Sequence, residues 1–441
     1  YLVDKLGGRE LIYEDPSVAC VSPIAIRKRK RPPVIPPMVP PNPPDYATVY
    51  VQNAYLTRND PEGKIKPGMI KALRVNALGV QPRASRTACS QGCPNEIPKR
   101  VVGTVPVDEN GSAFFKVPAG TSLQMQMLDK NGMAILTEKS LFYLQPGENR
   151  SCIGCHAEVG ASPGAGAMAK ASYKKPMDLI PPTGPSYPGG LSFMRTVQPV
   201  LDRYCIRCHG LGEGENRKAD AVNLIHDGKI AYPRSYLEIV KRGDHRLGEK
   251  SYMWGDFNVS RPFMFYAYSN KVAHMLRGKH SNVTMDTVSY MRVIEWLDLN
   301  AQCYGDLFPN KLEERQLNGE AMNELKAYAA KTLGDTYGRY PDRALVNAAQ
   351  PDESLVLMAP LAKAAGGWGQ LQPGWKSKDD PGFKKMQEHV AHCIVRKPNE
   401  NTNGWAPTFE QGGGEKWVLD DRNTYRAKIM QTTKENTVQN K

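Results

Sequence analysis

From Tyr46 to Leu144 the chain is written in short runs of branched and aromatic residues separated by turn chemistry. "ATVYVQNAY", "IKALRVNAL", "KRVVGTVPV", "SAFFKV", "SLQMQML" and "ILTEKSLFYL" are short and carry the enrichment that suits a pleated, half-buried surface. "DENG", "PAG" and "DKNG" between them supply residues that accept tight turns. Short strands at near-regular spacing predict an antiparallel sandwich or barrel. No repeat of propeller length recurs within the chain.

Beyond about residue 190 the period changes. In "LSFMRTVQPVLDRYCIRCHG", Phe193, Val197, Leu201 and Tyr204 recur at helical spacing, with a kink expected at Pro199. "DTVSYMRVIEWLDLN", Asp286 to Asn300, predicts a second amphipathic helix with Asp286 as N-cap. Its stripe of Val288, Met291, Ile294 and Leu297 reads as core. A further helix is expected in "EAMNELKAYAAKTLG", then an apolar segment, "SLVLMAPLAKAAGGWG", and a polar, loop-rich tail. At the other end, "LIYED" and "ACVSPIAI" read as one or two strands. "RPPVIPPMVPPNPP" and "IPPTGPSYPGG" are connectors, because proline fixes φ and cannot donate to a ladder. These shifts divide the chain into N-terminal strands with a proline-rich linker (1–44), a β-rich domain (45–179), a helical domain (180–310) and a helical and loop extension (311–441).

Charge and composition alter this picture little. Lys and Arg number 58 against 45 Asp and Glu, a net charge of +13. Part of the excess is "RKRKR", Arg27 to Arg31, which reads as a solvated linker or a dock for an acidic partner. Nucleic acid is not expected, because the run leads into proline without aromatic interleaving. No apolar run is long enough to span a membrane. The chain opens on Tyr1 without a leader pattern, which suggests a processed chain or a piece of a longer one.

The cysteines change the picture entirely. Four of the nine stand in two copies of one motif, C-x-x-C-H: Cys152, Cys155 and His156, then Cys205, Cys208 and His209. Two thiols three positions apart reach the two vinyl groups of one porphyrin as thioethers, and the adjacent histidine then lies under the iron. Two C-x-x-C pairs are also the ligand count of a structural zinc site, but Cys155 and Cys205 stand 50 positions apart, beyond the usual gap. A thioredoxin-type dithiol calls for a βαβ setting that neither copy has. The expectation is therefore two covalently bound haem c groups. The fold class that follows is α+β: an antiparallel β-sandwich-like domain carrying a haem, followed by a mainly α-helical cytochrome c-like domain. Of the remaining cysteines, Cys20, Cys89, Cys93, Cys303 and Cys393, at most four pair, and Cys89 with Cys93 could close a small loop.

The second copy has the setting of a cytochrome c: a helix, the motif, a long excursion and a returning helix. Candidates for its sixth ligand are His226, His245, His274, His280, Met275 and Met285. His280 is favoured, because "LRGKHSNVTM" places it on a loop just ahead of the Asp286 helix. The iron ligands expected overall are His156, His209 and His280. The first copy follows strands and a turn, so its haem has a far face that is open to a small molecule. Tyr143 either flanks that haem or belongs to the core. His389, His392 and Cys393 in "HVAHC" have metal-like helical spacing, which more often is incidental.

"YLVDKLGGRELIYEDPSVACVSPI", "GTVPVDENGSAFFKVPAG", "SLFYLQPGENRSCIGCH", "VQPVLDRYCIRCHG" and "VIEWLDLNAQCYGD" together resemble the middle and C-terminal regions of the hydrazine synthase alpha-subunit family of planctomycete-type bacteria. The resemblance covers roughly residues 1 to 305, and "DESLVLMAPLAKAAGGWG" resembles a segment of related planctomycete cytochromes. It implies a β-propeller ahead of a middle domain with one c-type haem, then a C-terminal domain whose second haem has two histidine ligands. That supports His280. Two departures matter. A propeller is absent unless Tyr1 to Ile26 is its remnant, and the family's tyrosine four residues beyond the motif histidine is Gly160 here. His156 is therefore expected to bind iron directly, and hydrazine formation is not carried over.

Three functions are open at this point. The first is a dihaem cytochrome passing electrons among other redox subunits of a hetero-oligomeric complex. The second is an oxidoreductase of hydrazine synthase alpha type acting on small nitrogen compounds at an open first haem. The third is a subunit whose haems only staple the fold. Covalent haem implies an extracytoplasmic location, a periplasm or an anammoxosome-like lumen.

Overall fold

The computed structural model describes residues 1–15, 24, 26–31, 33, 42–79, 99–138, 140–158, 160–161, 169–184, 190–210, 222–226, 233–241, 260–278, 280–305, 315–370 and 374–395. Cys20, Cys89, Cys93, His245, most of the proline-rich stretch and the polar tail lie outside the described residues. The chain divides into two units, 1–41 and 42–441.

In the first unit, β1 (Leu2–Val3) pairs antiparallel with β2 (Arg9–Glu10). Asp4 Oδ1 holds the turn between them by accepting from the Leu6 and Gly8 N–H groups. The strand expected in "LIYED" does not form, and pairing stops at Glu10 just before it. Leu11, Ile12 and Tyr13 are exposed, so no buried face holds them in a ladder.

The second unit is mixed α and β. Its strands are β3 (Tyr46–Val51), β4 (Ala72–Leu78), β5 (Lys99–Pro106), β6 (Ala113–Pro118), β7 (Leu123–Leu128), β8 (Ala134–Thr137) and β9 (Asn149–Cys152). They form a three-stranded sheet in the order β6-β3-β9 and a four-stranded sheet in the order β5-β4-β7-β8. Every pair is antiparallel except β3 with β9. All six apolar runs contain a strand, although "ILTEKSLFYL" is strand only as far as Thr137. Phe142 then returns to exchange backbone hydrogen bonds with Leu123. Both sheets bury their inward residues in one core, Val49, Val51, Phe115 and Val117 from the first and Leu73, Val75, Leu123 and Ile135 from the second.

The helical part opens with α1 (Phe193–Thr196), α2 (Gln198–Tyr204) and α3 (Ile206–His209). The expected kink is two breaks, at Val197 and Cys205. Pro199 lies in the first turn of α2, where its missing N–H costs nothing. After α4 (Arg234–Lys241) and α5 (Lys271–Arg277) comes α6 (Thr287–Asp298), capped as expected by Asp286, which accepts from the Ser289 N–H. The stripe expectation needs correcting. Ile294 and Leu297 are buried, but Val288 is exposed, and Arg292, Glu295 and Asp298 go inside instead. Trp296, fully buried, tilts against Phe193 and sets Tyr236 edge-on, so α1, α4 and α6 share one aromatic centre. Burial of each such ring contributes about 1.5–3 kcal/mol. α7 (Gly319–Leu333), α8 (Asp342–Leu345), α9 (Leu355–Met358) and α10 (Pro381–Cys393) extend the same core.

The β block and the helices are joined by buried polar chemistry. Arg74 on β4 donates through Nη1 to Asp298 Oδ2 at 2.8 Å and to Gln126 Oε1 at 3.0 Å, and through Nη2 to the Gly132 carbonyl at 2.7 Å. Asp298 also accepts from the Ala134 and Ala267 N–H groups at 3.0 and 3.2 Å. Gln302 binds both backbone groups of Lys99 at 2.8 Å. The C-terminal end of α6 is thus locked to β4, β7 and β8 together, which sets the two motifs in one body.

Candidate functional site: two C-x-x-C-H motifs in unlike surroundings

The first motif grows out of β9. Cys152 is the last residue of that strand and pairs with Val51 of β3. The chain then turns over residues 52–58: Gln52 N–H donates to the Cys152 carbonyl, Asn53 N–H to Ile153, and Arg58 N–H to His156, at 2.9, 3.1 and 3.0 Å. A Cβ on Gly154 would lie 2.1 Å from the Leu56 carbonyl oxygen, so only glycine fits this strap. Cys155 is buried in the β core and Cys152 is half-buried, and burial pushes both thiols up. His156 adopts a left-handed φ of 59°, a region that residues other than glycine seldom visit.

Both nitrogens of that ring have partners. Nδ1 is hydrogen-bonded to the carboxylate of Glu138, and because a carboxylate only accepts, Nδ1 carries the proton. Glu138 directly follows β8, is 9% exposed and also accepts from the Ser140 N–H at 3.3 Å. Nε2 meets Arg58 Nη2 at 2.6 Å. Leu56, Leu141 and Tyr143, all neighbours in sequence of this cluster, are exposed. Tyr143 is therefore surface, which corrects its core reading. Gly160 has φ 80° with nothing within 4 Å of a Cβ. Among the described residues no second histidine ring stacks on His156.

The second motif is one helical turn. Cys205 ends α2, and its carbonyl accepts from the His209 N–H at 2.8 Å, so Cys205, Cys208 and His209 come to one end of the helix. Gly210 must be glycine, because a Cβ there would sit 2.2 Å from the Ile206 carbonyl oxygen. His209 Nδ1 donates to the Val222 carbonyl at 3.1 Å, which fixes the tautomer and leaves Nε2 unprotonated. His280 begins a short turn, His280–Asn282, and its ring faces that of His209 with centroids 6.0 Å apart and planes 24° apart. The approach is held from both sides. Asp286, four positions beyond Asn282, accepts from Tyr204 Oη and Arg203 Nη1, both at 2.7 Å. The N-cap read in the sequence is therefore also the clamp that brings the His280 turn to the motif.

The other described sixth-ligand candidates do not meet His209, and His245 lies outside the described residues. His274 binds the Tyr268 carbonyl through Nε2 and Arg277 through Nδ1. His226 is buried, and burial lowers it to about 3. Met275 is exposed, and Met285 packs on the helical core. One turn upstream of Cys205, Asp202 is buried with its carboxyl raised to about 8 by that burial, opposed by a hydrogen bond from Gln198. His389 of "HVAHC" lies on α10 and stacks on Tyr328. No group of three metal-type side chains occurs among the described residues. No helix among them is long and apolar enough to cross a membrane.

Sequence reasoning missed Glu138 and Arg58. They stand 18 and 98 positions from His156, so no local spacing announces them. It also missed β9, whose "NRSC" has no apolar alternation and is held by backbone pairing to β3.

Residues 68–157 match the family described as the hydrazine synthase alpha subunit middle domain. Over 266 residues the chain is 25% identical to "Hydrazine synthase subunit alpha" of Kuenenia stuttgartiensis, an alignment covering 46% of this chain and 32% of that relative. The chain thus spans about a third of the relative's length. A solved structure titled "Kuenenia stuttgartiensis Hydrazine Synthase" aligns with 60% of this chain and 44% of its own, at 19% identity and a TM-score of 0.43. Over its β block the chain is thus similar to the hydrazine synthase alpha subunit middle domain, in a match that ends one residue past His156.

Proposed function

We propose that this chain is a dihaem c-type cytochrome subunit that transfers electrons within an extracytoplasmic redox complex. The observation that carries the reading is the facing pair His209 and His280. Two imidazoles on opposite faces of one metal, each with a bond of about 2 Å and half a ring beyond, have centroids about 6 Å apart. The rings here are 6.0 Å apart, and the only described bond to His209 engages the nitrogen that faces away from such a metal. Cys205 and Cys208 would supply the sulfurs for that haem, and His209 and His280 the imidazoles that would hold its iron. At the first motif Cys152 and Cys155 would supply the sulfurs and His156 the imidazole, through the Nε2 that Arg58 Nη2 meets at 2.6 Å.

Bound haem supplies a one-electron couple; the chain holds it in place and sets its surroundings. The His209 bond to Val222, the Asp286 clamp and the His280 turn hold two imidazoles in place, and such a pair would suit a haem that passes electrons. The name of the relative marks it as one subunit of an assembly, in keeping with a hetero-oligomer of redox subunits. Replacing His280 by alanine tests the reading: the second haem should lose its six-coordinate low-spin spectrum while both thioethers remain. An unchanged spectrum would contradict it.

A second reading is favoured by the first motif, where His156 faces Arg58 rather than another imidazole. In that reading the first haem keeps an open position and the subunit acts on a small nitrogen compound there. Carbon monoxide added to the reduced protein separates the two. A spectral shift in one haem of two supports the enzyme, and no shift removes it.

A further inference from the structure

The two motif histidines differ in what holds the far side of the ring. His209 donates Nδ1–H to a neutral backbone carbonyl, that of Val222. His156 donates Nδ1–H to the carboxylate of Glu138, which is only 9% exposed and which the Ser140 N–H and the end of β8 hold in place. Resting on the dihaem reading, we propose that Glu138 is the positioning and tuning residue of the first haem, drawing negative charge onto His156 and so lowering the reduction potential of its iron.

A hydrogen bond from an imidazole to a carboxylate gives the ring partial imidazolate character and makes the opposite nitrogen a stronger donor. A stronger donor stabilises the ferric state, with its higher charge, more than the ferrous one. Low local exposure preserves the effect, since water does not screen a carboxylate this well covered. The other charged group on the ring, Arg58, meets Nε2, the atom that iron takes, so it cannot also hold that nitrogen in the loaded protein. Glu138 has a positional role as well. Together with Ser140, it fixes a ring that projects from a left-handed residue, where the backbone alone leaves its rotation loosely determined. Outer partners of this kind alter ligand affinity by about 10–100-fold when removed.

The test is a spectroelectrochemical titration of the full, dihaem protein beside Glu138→Gln and Glu138→Asp. Glu138→Gln keeps the shape but removes the charge, and should weaken the ferric preference at the first haem at least about tenfold. At about 59 mV per tenfold for one electron, that is an upward shift of about 59 mV or more, with the second midpoint unmoved. Glu138→Asp should recover part of the shift. A Glu138→Gln protein that carries both haems and titrates as the parent does overturns the proposal. A second readout needs no variant. The ferrous iron–histidine stretch of the first haem should lie above that of a histidine bonded to a backbone carbonyl, and a stretch within that lower range overturns the proposal even if Glu138→Gln fails to mature. A parent protein lacking thioether haem at Cys152 and Cys155 would instead sink the dihaem reading itself.

Discussion

Replacing Asp298 by alanine tests how the sheet and the helices are held together. The wild-type carboxylate is fully buried and accepts from Arg74 Nη1, the Ala134 N–H and the Ala267 N–H. Burial pushes the Asp298 carboxyl up, while Arg74 and the two amides pull it down, so the pair survives only as a set. Alanine leaves the Arg74 guanidinium in the interior with two carbonyl-type acceptors, Gln126 and Gly132, and without its hydrogen-bonded counter-charge, the carboxyl of Glu295 acting on it only through space. Breaking a buried pair from one side costs about 3–5 kcal/mol. Each stranded amide adds about 1–3 kcal/mol, although relaxation and water entry recover part of that. The expected loss is therefore about 4–6 kcal/mol, a large share of the stability of an ordinary domain. Asp298→Asn, which retains an acceptor, should lose less. Urea unfolding followed by far-ultraviolet circular dichroism measures both, as a fall in midpoint at constant slope. A loss below about 1 kcal/mol for the alanine variant would refute the reasoning, because it would mean that neither charge nor amides were desolvated.

Two further predictions follow from residues beside the motifs. Asp202 has a folded-state value of about 8, raised by burial from the ordinary 3.8, so the folded protein holds a proton that the unfolded chain gives up. Its contribution is fully present below about pH 4 and declines as pH rises toward 8; Asp202→Asn should flatten that decline in stability-versus-pH measurements, and an unchanged slope would contradict the assignment. Gly154→Ala forces a carbon to within 2.1 Å of the Leu56 carbonyl oxygen, so the strap under the first motif must shift. That variant should lose about 1–3 kcal/mol and displace the His156 bond to Glu138, seen as an altered iron–histidine stretch, while a parent-like stability and spectrum would refute the fit.

Much of this arrangement is legible in the chain itself. The six apolar runs, each of which contains a strand, and the Asp286 cap are local signals, and both C-x-x-C-H motifs are legible as sequence. The position of His280 ahead of a capped helix is legible too, and the Asp286 of that cap bonds Tyr204 beside the motif whose His209 ring His280 faces. What escaped is set by distance along the chain. Arg74 and Asp298 look like ordinary surface charges in their own segments and become buried only when 224 positions of chain bring them together. Val288 carries a core-like side chain yet stays outside, because the face of α6 that the β block covers is the one bearing Glu295 and Asp298. The Glu138 partner of His156 is of the same kind, a tertiary pairing that no periodicity encodes.

The central claim is that porphyrin is fastened by sulfur at Cys152 with Cys155 and at Cys205 with Cys208. Mass spectrometry of the matured protein and of its peptides, read beside a pyridine haemochrome spectrum, measures that most directly. The account predicts two haem masses added to the chain, one on each motif peptide, and an absorbance equal to two c-type haems per polypeptide. A colourless protein with the mass of the bare chain, or one whose motif cysteines all alkylate as free thiols, would contradict it.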